Sequence, residues 1–415
     1  MAINKHSDSE GQVAVPDDPT TSQSSASDNS SSGWLVDTEA DRDPLLTVVL
    51  PTLNEEEGIV ECIERIKDAL AVLETPGEII VSDSSTDRTP ELAREHGAIV
   101  VEPDAAGYGY AYRYAFERAR GKYVAMGDAD TTYDFAELPK LFERVANDDA
   151  DIALGSRFDG EIRDGAMPAL HQYVGNPLLT QFLNTFYNAE ISDAHSGLRV
   201  FSREALEELE LNSDGMEFAS EMLMDASSRG FTIAEEPITY HPRKGEATLD
   251  SFRDGWRHLR FMLVNAPSYL FSIPGAAMIL FGIVCLLASL GGFQPSGATF
   301  GIRTAIAGSL LILVGFQVTS LAGFAVAAGD PIRTRTDPLS QFLTQTVGLG
   351  GTATLGLLLF GAGTTYATVI LTGWVSSGFS TIPSPSPIVD IVAFTGIVLG
   401  LQLVFSGFFI SAISD

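Results

Sequence analysis

Lysine is scarce in this 415-residue chain, confined to Lys5, Lys67, Lys122, Lys140 and Lys244. With 25 Lys plus Arg against 54 Asp plus Glu, the formal net charge is −29. That balance excludes nucleic acid as a partner, because phosphate backbones are bound by clustered positive charge. An acidic surface that prefers arginine to lysine suits a halophile's protein, since repulsion is screened within about 3 Å at 1 M salt. Cysteine is rarer still: Cys62 falls in a predicted soluble helix and Cys285 in an apolar span, so a disulfide is not expected and a reduced compartment is. The N-terminus has no apolar h-region and is read as lacking a cleavable signal peptide. Residues 1–43 are rich in Ser, Asp and Thr, with almost no large apolar side chains, which predicts disorder. Almost all long apolar runs lie after Tyr269.

Between the tail and those runs the pattern alternates. Leu45 to Leu50 reads as a buried strand closed by Pro51. Asn54 is expected to cap the next helix, with Glu57 at the capping-box position, and Ile59, Ile63, Ile66, Leu70 and Leu73 form its core face. Further strands are expected at Glu78–Val81, Ala98–Val101, Tyr123–Met126 and Asp151–Leu154. Helices are expected from Thr89 to Gly97, from Gly107-Tyr-Gly109 to Gly121, and from Phe135 to Asn147. Strands alternating with helices predict an α/β domain with a mostly parallel sheet covered on both faces. A dinucleotide fold is excluded, because its first strand–helix turn needs bare backbone amides and here reads Pro51-Thr-Leu-Asn-Glu-Glu-Glu57.

The stretch that organises the domain is Gly121 to Asp134, where an apolar strand runs into Asp128-Ala129-Asp130. Residues two apart on extended backbone share a face, so the two carboxylates can converge on one divalent cation. Mg2+ prefers such hard oxygens and shares them with a substrate's phosphates. Chance also makes this spacing in an acidic chain, as Asp41-Arg-Asp43 and Asp149-Ala-Asp151 show, and then it marks a solvated loop. Position at the end of a strand sets Asp128 and Asp130 apart.

Taken together, Pro51-Thr-Leu-Asn54-Glu55-Glu56, Asp83-Ser-Ser-Thr-Asp87, Asp128-Ala-Asp130, Gly155-Ser-Arg157 and Asp193-Ala-His-Ser-Gly197-Leu-Arg199 resemble the family 2 glycosyltransferases. The likeness runs from Leu45 to Leu249 and is nearest to the dolichyl-phosphate mannose and polyprenyl-phosphate glucose synthases. It implies a GT-A (Rossmann-like) catalytic domain that takes a nucleotide sugar, GDP- or UDP-hexose, with Mg2+ or Mn2+. Pro51, Leu53, Asn54, Glu55, Val81, Asp83 and Gly107 would then line the nucleotide-sugar pocket. Asp128, Ala129 and Asp130 would hold metal and diphosphate, with Arg157, Arg199 and Arg243 neutralising phosphate. Two departures stand out. Thr132 occupies a position where the family often has a metal-contacting glutamine, and Arg243-Lys-Gly-Glu-Ala-Thr248 lacks the late lysine of the family's Arg-x-x-Gly-x-Ser-Lys segment. Alternatively, Asp83 and Asp87 cap the next helix, and Arg157 and Arg199 are ordinary surface arginines.

Ser251 to Tyr269 places Phe252, Trp256, Leu259 and Leu263 at helical spacing with Arg253, Arg257 and Arg260 between them, as in a helix lying on a membrane surface; the alternative is a helix packed on the domain. Four apolar spans follow, Leu270–Leu290, Thr304–Ala328, Val347–Trp374 and Ile391–Ile413, each long enough to cross a bilayer and free of charged residues. That absence disfavours a transporter or channel, and Gly348, Gly350, Gly351 and Gly356 point to close helix contacts. Arg333 and Arg335, with no Lys or Arg in 375–390, put the catalytic domain in the cytoplasm, Arg303 being the one dissent. The expected division is a tail (1–43), a catalytic domain (44–249), an amphipathic juxtamembrane helix (250–269) and a four-helix transmembrane domain (270–415). The expected activity is inverting, metal-dependent transfer of mannose or glucose to dolichyl (polyprenyl) phosphate, with membrane lipid as a partner and a homo-oligomer compatible with it. Two other readings are a processive polysaccharide synthase, opposed by the absence of any Arg-Trp pair, and a degenerate nucleotide-binding scaffold.

Overall fold

In the computed structural model, residues 32–38, 42–245, 251–291, 300–328 and 349–414 are described. A seven-stranded sheet runs in the order β3-β2-β1-β4-β6-β5-β7. Its strands are β1 (Leu46–Thr52), β2 (Gly77–Asp83), β3 (Ile99–Val101), β4 (Tyr123–Met126), β5 (Ile152–Ile162), β6 (Arg199–Ser202) and β7 (Ile233–Tyr240). The first four are parallel; β6 runs antiparallel between β4 and β5, and β5 pairs parallel with β7. The mostly parallel sheet expected from sequence is therefore present. Two strands, β6 and β7, were not anticipated: β6 is only four residues, Arg-Val-Phe-Ser, and β7 is interrupted by Glu235-Glu236-Pro237.

Helices cover both faces. On one side α1 (Ile59–Val72), α2 (Thr89–Glu95) and α4 (Leu138–Ala146) bury Ile59, Ile63, Ile66, Leu70, Ala93, Leu138 and Leu141 with Val48, Leu50 and Ile79 of the sheet. On the other, α3 (Tyr108–Phe116) and α7 (Phe218–Arg229) bury Tyr112, Phe116, Phe218 and Met222 against Val49, Val124 and Phe201. Each fully buried Leu, Ile or Phe contributes about 1.5–3 kcal/mol, so these two layers fix the sheet that carries the site. Helix α6 (Arg203–Glu208) starts at Ser202, whose hydroxyl accepts from the Ala205 amide at 3.1 Å.

The expected cap on α1 is not made. Asn54 is left-handed, with φ of 60°, and its side chain accepts instead from the Thr86 amide at 2.9 Å. The helix starts after Gly58 without a side-chain cap. The turn 53–58 is thus freed from helix geometry and laced to the loop after β2. Within the tail expected to be disordered, Ser32–Trp34 makes a turn, Leu35 pairs with Gly77, and Val36 is buried; 1–31 and 39–41 lie outside the described residues.

Helix α5 (Asn176–Tyr187) and helix α8 (Ser251–Val264) pack beside α7. The buried side of α8 carries His258, Met262 and, just past its end, Ala266, whereas Trp256 is exposed. The helix therefore packs on the domain with one side and leaves Trp256, Arg257 and Arg260 outward on another.

Past α8, α9 (Ile273–Leu290), α10 (Ile302–Ala328), α11 (Leu349–Ser376) and α12 (Pro387–Ser414) follow, and four spans among the described residues are long and apolar enough to cross a membrane. Three of the observed spans begin earlier than expected, and two of these take in Arg303 and Asp390 near their starts. Asp390 is held by the Tyr366 hydroxyl at 2.7 Å and the Ser384 hydroxyl at 2.6 Å. Close contact comes through glycines, but mostly not the ones expected. Gly282 meets Gly308, and Gly356 meets Gly400; Gly351 has open space beside it, and Gly348 lies outside the described residues. Arg333 and Arg335 also lie outside them.

Candidate active site

Strands β2 and β3 lie to one side of β1, and β4 to the other. The chain therefore reverses direction across the sheet between β1 and β4, and the crevice outside their carboxyl ends is where open α/β sheets keep ligands. Glu55 follows β1 there, and Asp128 to Asp130 follow β4.

The β2 side is a closed polar lattice. Thr52 and Asp83 are register partners, and the Thr52 hydroxyl donates to Asp83 Oδ1 at 2.7 Å. Ser85 donates to the same oxygen at 2.6 Å and, through its amide, to Oδ2 at 3.2 Å. Asp83 does not cap α2; Asp87, just ahead of that helix, accepts from the Thr89 amide at 3.0 Å. Val81 is fully buried in the core, so its side chain lines no pocket. Pro51 is half-buried, and Leu53 is 54 % exposed on the cleft side of the same turn.

The β4 side gathers negative charge. The strand ends at Met126, and Thr131 is left-handed at φ 66°, so it is a turn, and not the pleat of a strand, that brings Asp128 and Asp130 together. Tyr108 donates its hydroxyl to Asp128 at 2.9 Å. Thr132 donates to Asp130 Oδ1 through its hydroxyl at 2.5 Å and its amide at 3.0 Å. Thr132 is thereby a support for Asp130. Burial, then the neighbouring Asp130 charge, pushes Asp128 up to about 6. Burial pushes Glu55 up to about 7, opposed by Arg243 and reinforced by Asp130 and Asp128.

Two of these three carboxylates meet one cation. Arg243 pairs with Glu55 through Nη2, and its Nε lies 3.7 Å from Asp130 Oδ2 with no hydrogen-bond partner of its own. It arrives there because the chain after β7 lies along the Asp130 turn, with the His241 amide on the Thr132 carbonyl at 2.9 Å and the Lys244 amide on the Asp130 carbonyl at 3.0 Å. Lys244 itself turns to Glu61 on α1. Residues 246–248 of the altered segment lie outside the described residues.

The other two arginines are spent elsewhere. Arg157 is bidentate to buried Asp193, Nε to Oδ2 at 2.7 Å and Nη2 to Oδ1 at 2.8 Å, and lies over the Tyr240 ring at 5.1 Å. It reaches the cleft only through its field, which favours ionised Asp128. Arg199 is fully buried and donates to the carbonyls of Ser196, Ala219 and Ala194 at 3.0, 2.9 and 3.2 Å. It ties the 194–196 loop to α7 and touches no substrate space; the phosphate contact expected of it is not made. That loop matters because Gly197 lies against Asp128: a Cβ there would come 2.9 Å from Oδ2. The Tyr133 hydroxyl accepts from the Gly197 amide at 2.7 Å and fixes the approach. Gly58 is placed similarly, since a Cβ on it would sit 2.5 Å from the Ala129 carbonyl. Gly107 is left-handed at φ 148° and heads α3 just before Tyr108.

Sequence reasoning missed Tyr108, Tyr133, Tyr240 and the clamp role of Asp193. A tyrosine-rich helix opening, Gly107-Tyr-Gly-Tyr, was the available signal for the first. His195, the imidazole of the Asp193 motif, is held well below its ordinary value by burial and then by His258, Arg157 and Arg199; it is neutral at pH 7.

Among the described residues no group of three or more His, Cys, Asp or Glu is arranged to hold a metal by itself. The fit is of another kind. Two hard carboxylates with surplus charge, beyond the carboxyl ends of the central strands, match a cation that takes its remaining oxygens from substrate phosphates.

Comparison with known proteins shows the same two-part organisation. The family model described as Glycosyl transferase family 2 matches residues 47–210, and that described as Glycosyltransferase family 2 C-terminal transmembrane region matches 321–414. The chain is 52 % identical over 415 residues, 100 % of both proteins, to the low-salt glycan biosynthesis hexosyltransferase Agl6 of Haloferax volcanii. It is 36 % identical over 215 residues to a dolichyl-phosphate hexose transferase of the same organism, 51 % of this chain and 89 % of that one. Glucosyl-3-phosphoglycerate synthase from Mycobacterium tuberculosis, crystallised with Mn2+, UDP-glucose and phosphoglyceric acid, matches with a TM-score of 0.45 at 24 % identity over 53 % of this chain and 79 % of that one.

Proposed function

We propose, since the chain belongs to glycosyl transferase family 2, that it transfers one hexose from a nucleotide sugar to the phosphate of a dolichyl (polyprenyl) lipid. The catalytic domain would stand on the cytoplasmic face, and the product would feed protein glycosylation. The observation that carries the reading is the cluster of Glu55, Asp128 and Asp130 at the switch point, short of positive charge and faced by Arg243.

A lipid phosphate monoester has a second pKa near 6 and is already nucleophilic around pH 7. Its oxygen attacks the anomeric carbon as the bond from that carbon to the diphosphate breaks, and the nucleoside diphosphate leaves with the electron pair. One such in-line displacement inverts the anomeric centre, and no general base is needed. Asp128 and Asp130 would hold a divalent cation, Mg2+ or Mn2+, which neutralises charge growing on the leaving diphosphate. Arg243 is the residue free to add to that neutralisation, exchanging Glu55 for phosphate. Tyr108 and Thr132 hold the two aspartates in place, and the Arg157–Asp193 pair keeps the 193–197 loop against Asp128. Helix α8, with Trp256, Arg257 and Arg260 outward, would keep this crevice at headgroup height.

The test is to incubate membranes carrying the protein with dolichyl phosphate and a panel of labelled UDP- and GDP-hexoses. The reading expects label in the lipid phase from at least one donor, lost on chelation and restored by Mg2+ or Mn2+. Protein that binds nucleotide yet transfers from no donor would contradict it.

A further inference from the structure

Helix α8 reaches toward the catalytic crevice through a polar contact that the transfer chemistry does not use. His258, on its buried side, places Nδ1 3.0 Å from the Ser220 hydroxyl of α7. The same hydroxyl lies 3.4 Å from Nε2 of His195, and the two imidazole rings stand edge to face with centroids 5.0 Å apart. Side chains from α7, α8 and the 193–197 loop therefore meet at one point inside the domain.

The direction of these bonds follows from their surroundings. A serine hydroxyl has one proton, so it donates to one ring and accepts from the other. His195 Nδ1 is enclosed and has no hydrogen-bond partner among the described residues. The neutral His195 ring therefore keeps its proton on Nε2, the nitrogen that has an acceptor. His195 donates to Ser220, and Ser220 donates to His258 Nδ1.

The loop on which His195 sits bears on Asp128. Gly197 lies against that carboxylate, and Asp193 is clamped by Arg157. Between them the Ala194 amide donates to the Thr180 hydroxyl of α5 at 3.2 Å. Helix α5 is itself pinned to α8, its Tyr187 hydroxyl donating to the Met262 carbonyl at 3.0 Å. The juxtamembrane helix thus acts on the loop by two routes, one through Ser220 and one through α5.

We propose that His258 is a positioning residue for sugar transfer, setting the 193–197 loop against Asp128 through Ser220 and His195. Its consequence for turnover rests on the transfer reading above; the geometry does not. Trp256, Arg257 and Arg260 face outward from the same helix. One element thereby joins the headgroup region to the carboxylate that would hold the cation.

The experiment uses full-length protein in lipid vesicles, with transfer to dolichyl phosphate and calorimetric Mn2+ binding in the presence of UDP or GDP. His258→Leu should lower kcat about tenfold and weaken Mn2+ binding about tenfold, the low end for a support behind a metal ligand. The KM for the lipid should stay unchanged, because the contact serves Asp128 and not the acceptor. His258→Asn keeps a polar atom where Nδ1 stood and should retain most of both. Ser220→Ala removes the middle group without altering α8, should repeat the leucine effect, and keeps the test open if that variant fails to fold. The double variant should be no worse than either single one. Wild-type kcat and Mn2+ affinity in His258→Leu, a raised lipid KM at unchanged kcat, additive losses, or an asparagine variant as poor as leucine would each overturn the proposal. Mn2+ binding is read without transfer, so wild-type protein that transfers from no donor fails the transfer reading separately, and the Mn2+ comparison still decides this one.

Discussion

The catalytic crevice and the membrane bundle solve the same problem, polar groups away from water, in opposite ways. In the crevice the groups are satisfied by distant partners: Thr52 with Asp83, Arg157 with Asp193, Arg199 with three carbonyls. In the bundle many are satisfied within one turn, as Thr364, Thr368 and Thr372 donate to carbonyls four residues back, and fewer reach between helices, as Tyr366 does to Asp390. What the crevice keeps in addition is charge: of its three carboxylates only Glu55 and Asp130 meet an arginine, Arg243. Such a surplus is costly to fold around, and the comparison points to the crevice as the place where a cation would be held.

The first way to break this comparison is at the charge surplus. Asp130→Ala should lower transfer by on the order of 10²-fold or more, by loss of charge stabilisation, while raising thermal stability slightly in metal-free buffer. Near-normal turnover in labelled-donor assays would remove the metal-site assignment.

The second separates the two kinds of arginine. Arg199→Met removes three hydrogen bonds to buried carbonyls and should cost about 3 kcal/mol or more of stability, read by denaturant unfolding. Arg243→Gln should leave stability within about 1 kcal/mol, the pair being partly exposed, yet cut turnover about tenfold or more. Equal stability losses in both variants would erase the distinction drawn between scaffold and site.

The third uses pH. Glu55 is raised from 4.5 to about 7, and Asp128 from 3.8 to about 6. A carboxyl raised this way binds its proton more tightly folded than unfolded, so these groups lower metal-free stability as pH rises from about 4 to about 7. A cation favours the ionised forms. Mn2+ affinity, measured by calorimetry, should therefore fall as pH drops through 7 and then 6, with protons released on binding; a flat profile would contradict the cluster. The smallest effect is in the bundle, where Gly400→Val would press on the Gly356 carbonyl and should cost about 1–3 kcal/mol, without changing Mn2+ affinity.

Much of the catalytic half was legible in advance because its signals are local. An apolar run ending in Asp128-Ala-Asp130 reads as strand and then ligand site whichever way the rest folds. Asn54 misled because a capping box and a left-handed turn use the same residue type, and only the Thr86 amide across the loop decides between them. Arg199 misled for a related reason. Its guanidinium finds backbone carbonyls on α7 and its own loop, and no pattern in the sequence announces a carbonyl. On α8, Met262 and Ala266 are as apolar as Leu259 and Leu263, and only the surface offered by α5 and α7 decides which of them the domain buries.

The most direct measurement is calorimetric titration of Mn2+ with nucleoside diphosphate into wild-type protein and into Asp130→Ala. Metal and nucleotide should each strengthen the other's binding in the wild type, and that coupling should vanish in the variant. Coupling of equal size in both proteins would mean that the two aspartates hold no cation against the donor.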